Sequence, residues 1–194
     1  IKIESFVFLD LIDKVIFSIA NEQENVYSLT SVLFEKEKRD NLNFLKMISS
    51  DGHRLSIMEK DVAFDVDDLK LNDVTLIPKK GIQEFKKFCE GRDEIEISFE
   101  EKQMILRDSE AVMVIRLKKG EFPQYNAILD AVAIENCVEI SRIPFLESLK
   151  RINLFTEDIF HTIQLQIDRD KMILSSQNAD LGNAKDEQSI SYSG

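Results

Sequence analysis

One supersecondary pattern recurs three times along the 194 residues of this chain and constrains its fold more than any other feature. In each copy a short strand runs into a helix of about ten residues, and strands with alternating polarity follow. Phe8, Gly81 and Pro144 occupy equivalent places in the three copies. Two such units make an α+β domain with helices on one face of an antiparallel sheet, and the third makes half a domain.

The first copy shows the pattern most clearly. It opens with a strand at 1–5 and continues into a helix at 6–21, whose buried face we predict from a spacing of three and four residues. That face comprises Leu9, Ile12, Ile16 and Ile19. Further strands are predicted at 28–35, 42–49, 55–59, 74–78, 94–99, 103–107, 111–117, 137–141, 162–167, 171–175 and 188–192, and further helices at 79–90 and 144–152.

The repeats predict a division into two parts. Residues 1–130 form one domain from two repeats, about 1–70 and 71–130, and residues 131–194 form the half domain. The chain starts at Ile1 without a methionine and stops at Gly194, directly after a predicted strand. We therefore expect it to be a piece of a longer protein.

Charge limits the possible partners. The chain has 25 Lys and Arg against 36 Asp and Glu, a net charge of −11, so tight and static binding to phosphates is not expected. Cations nevertheless recur on the predicted outer faces of the helices. Both a solvated helix face and a weak, sequence-independent phosphate-facing surface fit this pattern. The residues concerned are Lys14, Lys79, Lys80, Lys86, Lys87, Lys150 and Arg151.

Cysteine content and hydropathy indicate the compartment. Cys89 and Cys137 are too few for a disulfide scaffold or a zinc site, and Cys89 lies on the apolar side of a predicted helix. A buried, reduced thiol fits a reducing compartment. No apolar run approaches the roughly 20 residues that span a bilayer. We expect a cytoplasmic protein without metal or cofactor.

The segment from Ser50 to Leu55 is the most distinctive short one. Asp51-Gly52 between two alternating strands predicts a type I′ hairpin turn, which makes His53 and Arg54 strand-entry residues. An enzyme would use His53 as a base oriented by Asp51. With only two histidines and no nucleophile elbow, phosphate-binding glycine loop or metal-ligand spacing, we predict no catalytic activity.

Several segments, in order along the chain, resemble the beta subunit of bacterial DNA polymerase III, the sliding clamp family. They are 32–35 (VLFE), 50–55 (SDGHRL), 77–81 (IPKKG), 120–125 (GEFPQY) and 191–194 (SYSG). The resemblance implies a DNA-clamp fold with three similar domains per protomer, antiparallel sheets outside and helices on the inner face. Two protomers pair head to tail into a ring around duplex DNA. This chain would be the middle domain and the first half of the third, and on its own a monomer.

The resemblance also implies a non-catalytic processivity factor for DNA replication. Its partners would be duplex DNA, bound weakly and without sequence preference, the polymerase III alpha subunit, the clamp loader and other proteins with a clamp-binding motif. These motifs enter a cleft between the second and third domains. The matching positions are Leu29, Ser50, Gly52, His53, Arg54, Leu55, Pro123, Ile128 and Phe160.

Two positions depart from the family pattern. Ala127 stands where an arginine is common, and Asp130 stands where a proline is common, so the motif preference of this cleft should differ. An alternative reading remains open, in which the repeated units form a protein-interaction module with no role in nucleic-acid binding. That module would share the peptide cleft but would have no functional basic face.

Overall fold

The computed structural model describes residues 1–21, 27–132, 137–156 and 162–193. The chain divides into two compact units, Ile1–Tyr125 and Asn126–Gly194. Both units combine antiparallel sheets with helices, so the predicted α+β class is confirmed. Among the described residues, no helix has the length and apolar character needed to cross a membrane.

Two four-stranded antiparallel sheets and two main helices build the first unit. The helix α2 contains Lys86 and Lys87 in its last turn, where cations interact favourably with the helix dipole. Gly91 follows with a φ of +76°, as predicted for a residue just past a helix end. The elements are β1 (Lys2–Glu4), α1 (Ser5–Val15), β2 (Ser31–Arg39), β3 (Leu42–Ser50), β4 (Leu55–Val62), β5 (Thr75–Pro78), α2 (Lys79–Cys89), β6 (Glu94–Glu100), β7 (Gln103–Arg107) and β8 (Val112–Arg116).

The two repeats of this unit exchange their opening strands. The first sheet has the order β4-β3-β2-β5 and the second the order β1-β6-β7-β8. Strand β1 of the first repeat therefore pairs with β6 of the second, while β5 of the second repeat pairs with β2 of the first. Neither repeat completes its own sheet, so the unit folds as one body rather than as two independent halves.

Aromatic rings join the repeats in one core. The ring centroid of Phe8 lies 4.7 Å from that of Phe85 and 6.3 Å from that of Phe34, and Phe34 stacks on Phe99 at 5.5 Å. Phe8, Phe34 and Phe85 are almost completely buried. Because the contacts between Phe8 and Phe85 connect α1 to α2, the two helices pack on each other as well as on the sheets.

The buried face of the first helix differs from the prediction. Helix α1 ends at Val15 and the chain tightens into a 3₁₀ turn, Ile16–Ser18, so the helical spacing does not extend to residue 21 as predicted. Leu9, in the middle of α1, and Ile16, just after it, are only partly buried. Ile12 and Ile19 are buried as expected, and the helix completes its buried face with Val7, Phe8, Leu11 and Val15.

The second helix buries Cys89, as predicted, together with Ile82, Phe85 and Phe88 on the same side. Burial raises the pKa of the Cys89 thiol to about 12, which keeps it protonated and unreactive.

The type I′ turn lies elsewhere than predicted. Asp40 and Asn41, with φ of 52° and 63°, form a two-residue connection between β2 and β3, whose ends Arg39 and Leu42 are paired. Asp51-Gly52 instead belongs to a four-residue loop between Ser50 and Leu55, and only Gly52 of these two has positive φ. The hairpin predicted at this point is present, and His53 and Arg54 lie directly before β4, but the prediction of a type I′ turn is wrong.

The second unit contains the third repeat. Its small core is Ile152, Met172 and Leu174. The single strand predicted at 188–192 is wrong, because Ile190 separates two strands that belong to different sheets. The elements are α3 (Tyr125–Asp130), which starts at the last residue of the first unit, β9 (Cys137–Glu139), α4 (Arg142–Asn153), β10 (Gln164–Ile167), β11 (Lys171–Asn178), β12 (Gly182–Ser189) and β13 (Ser191–Ser193).

Candidate functional site

The loop between β3 and β4 is held by its own hydrogen bonds. One carboxylate oxygen of Asp51 accepts hydrogen bonds from the backbone N–H groups of His53 and Arg54, both at 3.1 Å. The hydroxyl of Ser50 accepts from the N–H of Gly52 at 3.1 Å and donates to the carbonyl of Arg54 at 2.8 Å. The loop is thus a closed Asx-type turn with a defined shape.

Arg54 extends from this loop to the end of the first helix. Its Nε donates to Asp51 Oδ2 at 2.9 Å and its Nη2 donates to the carbonyl oxygen of Phe17 at 2.8 Å. The guanidinium carbon also lies 5.6 Å from the centroid of the Phe17 ring. A guanidinium has five N–H donors, so as far as the described residues go both hydrogens on Nη1 and one on Nη2 remain for a ligand.

Asp51 is charged in this arrangement. Burial opposes the charged form, but the N–H groups of His53 and Arg54 and the guanidinium outweigh that effect, so the pKa of Asp51 lies below its usual value. The carboxylate is engaged by the loop backbone and by Arg54 rather than by the imidazole of His53. It therefore does not orient His53 as a base.

Leu55 belongs to a small apolar cluster that we call the Tyr125 cluster. Its buried members are Leu33, Ile48, Leu76 and Tyr125, and Leu55, Ile57 and Phe122 are partly buried against them. The neighbouring residues Phe34, Met47 and Ile77 belong to the main core. Because side chains alternate along a strand, the Tyr125 cluster lies on the opposite face of the same sheet.

Tyr125 makes hydrogen bonds through both its side-chain hydroxyl and its backbone N–H. Its hydroxyl is hydrogen-bonded to Glu35 Oε2 at 2.6 Å, and its backbone N–H donates to the carbonyl of Pro123 at 2.8 Å. The segment that carries Pro123 is therefore attached to the sheet through Tyr125. Leu55 and Pro123, two predicted cleft positions, are in this way connected to the same cluster.

The remaining predicted cleft positions have different settings. Leu29 is buried in a 3₁₀ helix, Tyr27–Thr30, and its carbonyl accepts from the N–H of Ala20 at 3.0 Å. Ile128 is exposed on α3 in the second unit. Phe160 lies outside the described residues. The structure thus groups Ser50, Gly52, His53, Arg54 and Leu55 around one loop and connects Pro123 to it through Tyr125. Leu29, Ile128 and Phe160 are assigned to the cleft by family resemblance alone.

Most of the predicted DNA-facing cations have partners within the protein. Lys79 donates to the carbonyl of Ile19 at 3.3 Å and to Asn21 Oδ1 at 3.0 Å. Lys14 and Lys80 are exposed and form no ion pair within the described part of the chain. The ion pairs are Lys86 with Asp13 at 2.6 Å, Lys87 with Glu84 at 3.0 Å, Lys150 with Glu147 at 3.0 Å and Arg151 with Asp186 at 2.5 Å.

Carbonyl groups at the end of α1 and just beyond it accept hydrogen bonds from three other elements. These carbonyl groups lack helical partners, as at any helix C-terminus. The pairs are Val15 with the hydroxyl of Ser49 at 2.6 Å, Phe17 with Arg54 and Ile19 with Lys79. This turn therefore links the β3–β4 loop to the start of α2.

Sequence reasoning missed two residues of this arrangement, Asp51 as the partner of Arg54 and Phe17 as its second anchor. The three-residue separation of Asp51 and Arg54 could have suggested their ion pair. Phe17 gives no such signal, because its contribution is a backbone carbonyl 37 residues away from Arg54.

Comparisons with known proteins find the same family over most of this chain. The family model described as the DNA polymerase III beta subunit, central domain, matches residues 2–124. A beta sliding clamp from Rickettsia felis is 27% identical over 194 aligned residues, which cover 95% of this chain and 48% of that protein. The chain spans about half the length of the curated relatives it matches.

Solved structures show the same fold. The DNA polymerase III subunit beta from Pseudomonas aeruginosa aligns with 100% of this chain and 51% of its own, with a TM-score of 0.88 at 22% identity. A sliding clamp from Bartonella birtlesii, bound to griselimycin, covers the same shares with a TM-score of 0.85 at 24% identity. At these identities the likeness establishes the fold, and the expected clamp fold is confirmed.

Proposed function

The chain belongs to the DNA polymerase III beta subunit family, the bacterial sliding clamps, and on that premise we propose that the full-length protein encircles duplex DNA and tethers the replicative polymerase to it. The observation that carries this proposal is the match of the central-domain model over residues 2–124. The role is topological and needs no catalytic residue. It would operate in the cytoplasm, where a bacterial chromosome is replicated.

The domain assignment follows from the same premise. Residues 1–130 are the middle domain of three, and residues 131–194 are the first half of the third. The ring itself would be a head-to-tail homodimer of full-length protomers, and a chain of this extent would be a monomer.

Contact with DNA should be weak. The net charge is −11, and four of the seven cations proposed to face DNA are already paired with carboxylates. A phosphate that displaces such a carboxylate gains little, because one ion pair replaces another. Among the described residues, no carboxylate pairs with the other three, Lys14, Lys79 and Lys80; Lys79 is held by neutral acceptors, so Lys14 and Lys80 are the freest of them. The result is a sequence-independent, salt-sensitive contact that allows sliding.

The partner-peptide site is proposed at the β3–β4 loop. Leu55 and the adjoining Tyr125 cluster supply an apolar anchor point, and Arg54 supplies directed donors at its rim. The full set remains Leu29, Ser50, Gly52, His53, Arg54, Leu55, Pro123, Ile128 and Phe160. The partners are the polymerase III alpha subunit, the clamp loader and other proteins that carry a clamp-binding motif.

Charge reversal tests the DNA-facing surface. In the full-length protein, the double variant Lys14→Glu and Lys80→Glu should shorten the products of primer extension on a long singly primed template, and raised salt should aggravate the defect. Lys102→Glu with Lys119→Glu is the matched control, because both lysines are exposed and lie outside the helices. Product lengths equal to those of the wild type would favour an interaction module without a nucleic-acid role.

A further inference from the structure

We infer that Asp51 is a positioning residue, which holds the guanidinium of Arg54 in the orientation that receives carbonyl or carboxylate groups of a bound peptide. This inference rests on the proposed peptide site and names a residue on which its specificity depends. Asp51 itself is turned inward, with 17% of its side chain exposed, whereas 58% of the Arg54 side chain is exposed. The carboxylate therefore acts through Arg54 rather than on the ligand.

The restraint on Arg54 has two anchors. Asp51 Oδ2 accepts from Nε and the carbonyl of Phe17 accepts from Nη2, so two nitrogens of the planar group are anchored to two different segments. An exposed arginine otherwise samples many rotamers, and ordering it opposes binding. Both anchors are in place before a ligand arrives, and Nη1 has no acceptor among the described residues.

The second repeat contains a counterpart of this arrangement. Asp108 Oδ1 accepts from the N–H groups of Glu110 and Ala111 at 2.8 and 2.6 Å in the loop between β7 and β8. Its other oxygen pairs with Nε of Arg92, whose Nη1 donates to the carbonyl of Phe88 at 2.7 Å. The guanidinium carbon of Arg92 lies 4.3 Å from the centroid of the Phe88 ring.

The two arrangements thus share a carboxylate in a hairpin loop, an arginine, and a phenylalanine carbonyl at the end of the repeat's helix. They differ in which segment supplies the arginine, the loop in the first repeat and the residues after the helix in the second. They also differ in exposure, because 29% of the Arg92 side chain is exposed against 58% for Arg54. The second arrangement fastens a loop to a helix, and the first does so while presenting its guanidinium to solvent beside Leu55.

The experiment is a double-mutant cycle in the full-length protein. The ligand is a synthetic peptide with the sequence of the C-terminal tail of the polymerase III alpha subunit, and calorimetry gives its Kd. Asp51→Asn retains an oxygen for the loop N–H groups but removes the charge beside Arg54. We expect it to weaken binding by about ten-fold and Arg54→Ala to weaken it at least as much. The double variant should bind no more weakly than Arg54→Ala alone.

Three further variants separate a failure of the positioning role from a failure of the peptide site. Asp108→Asn makes the same chemical change in the second repeat and should lower the melting temperature while leaving the Kd unchanged. Leu55→Asp should abolish binding if the peptide site is correct, and Leu42→Asp, at the opposite end of β3, should not.

Loss of binding in Leu55→Asp with a wild-type Kd in Asp51→Asn would overturn the positioning role and leave the peptide site standing. An equal loss from Asp51→Asn with and without Arg54 would also overturn it, because Asp51 would then act independently. An undiminished affinity in Leu55→Asp would overturn the peptide site and the positioning role together.

Discussion

Two aspartates in hairpin loops show how one carboxylate can hold a loop and an arginine together. Asp51 and Asp108 each accept two backbone N–H groups and one guanidinium. From the sequence, the segment around Asp51 is recognisable as a turn between strands, but the role of its carboxylate is not. The partner carbonyls of Phe17 and Phe88 carry no side-chain signal, so only the folded chain reveals them.

The lysines and arginine proposed to face DNA show the same limit of prediction from sequence. Their recurrence on the helices is visible in the sequence, and so are the partners of Lys87 and Lys150 three residues away. Other partners come from residues distant along the chain. Lys86 pairs with Asp13 and Arg151 with Asp186, and Lys79 binds the carbonyl of Ile19. A periodic pattern therefore predicts where a charge lies but not whether it is compensated.

Acid sensitivity is the prediction at the residue scale. The guanidinium of Arg92 and the N–H groups of Glu110 and Ala111 lower the pKa of Asp108 from 3.8 to about 2. Because the folded pKa is the lower one, the stabilisation is fully present above pH 3.8 and is lost as the pH falls through about 2. The urea midpoint of the wild type should therefore approach that of Asp108→Asn over this interval. A constant difference between the two proteins down to pH 2 would contradict this account.

At the scale of elements, a predicted helix or strand agrees with the structure where its apolar residues are regularly spaced. Helix α2 and strands β6 and β7 match their predicted positions because their apolar residues keep a regular spacing into the core. Strand β12 was missed, since it is almost entirely polar and Ala184 is its one apolar residue packed against the small core. Its existence depends on pairing with β11, which is a tertiary effect.

Gly81 provides the prediction at this scale. Alanine normally favours a helix over glycine by about 1 kcal/mol. A Cβ at this position, however, would lie 2.6 Å from Cγ2 of Ile115, a branched and buried side chain. We expect Gly81→Ala to destabilise the first unit by about 1–3 kcal/mol, as overpacking does. Urea unfolding measures the change in stability. Ile115→Val keeps a Cγ2 atom at the contact, so this variant reports only how sensitive the core is to a smaller side chain.

The double variant Gly81→Ala with Ile115→Ala separates the steric cause from any other. Removing the Ile115 side chain beyond Cβ should make the alanine at 81 neutral or stabilising relative to Ile115→Ala alone. A wild-type stability for Gly81→Ala itself would show that the helix and the sheet yield at this contact, contrary to expectation.

At the scale of the whole molecule, the repeat was visible in the sequence and the exchange of opening strands was not. Alternation identifies β1 and β5 as strands but does not indicate their neighbours, and Lys2 pairs with Glu96 across most of the unit. The family resemblance supplied what periodicity could not, the clamp architecture and the proposed partners. The curated relatives that this chain matches are about twice as long, so the proposed ring and partners concern the full-length protein.

Retention on circular and linear DNA tests the central proposal most directly. Full-length protein is loaded onto a nicked circular plasmid by its clamp loader, and complexes are separated from free protein by gel filtration before and after the plasmid is cut once. A protein that encircles the duplex should co-elute with the circle and leave the linear form, since it slides off the ends. Equal retention on circular and linear DNA would contradict a topological link and with it the proposed function.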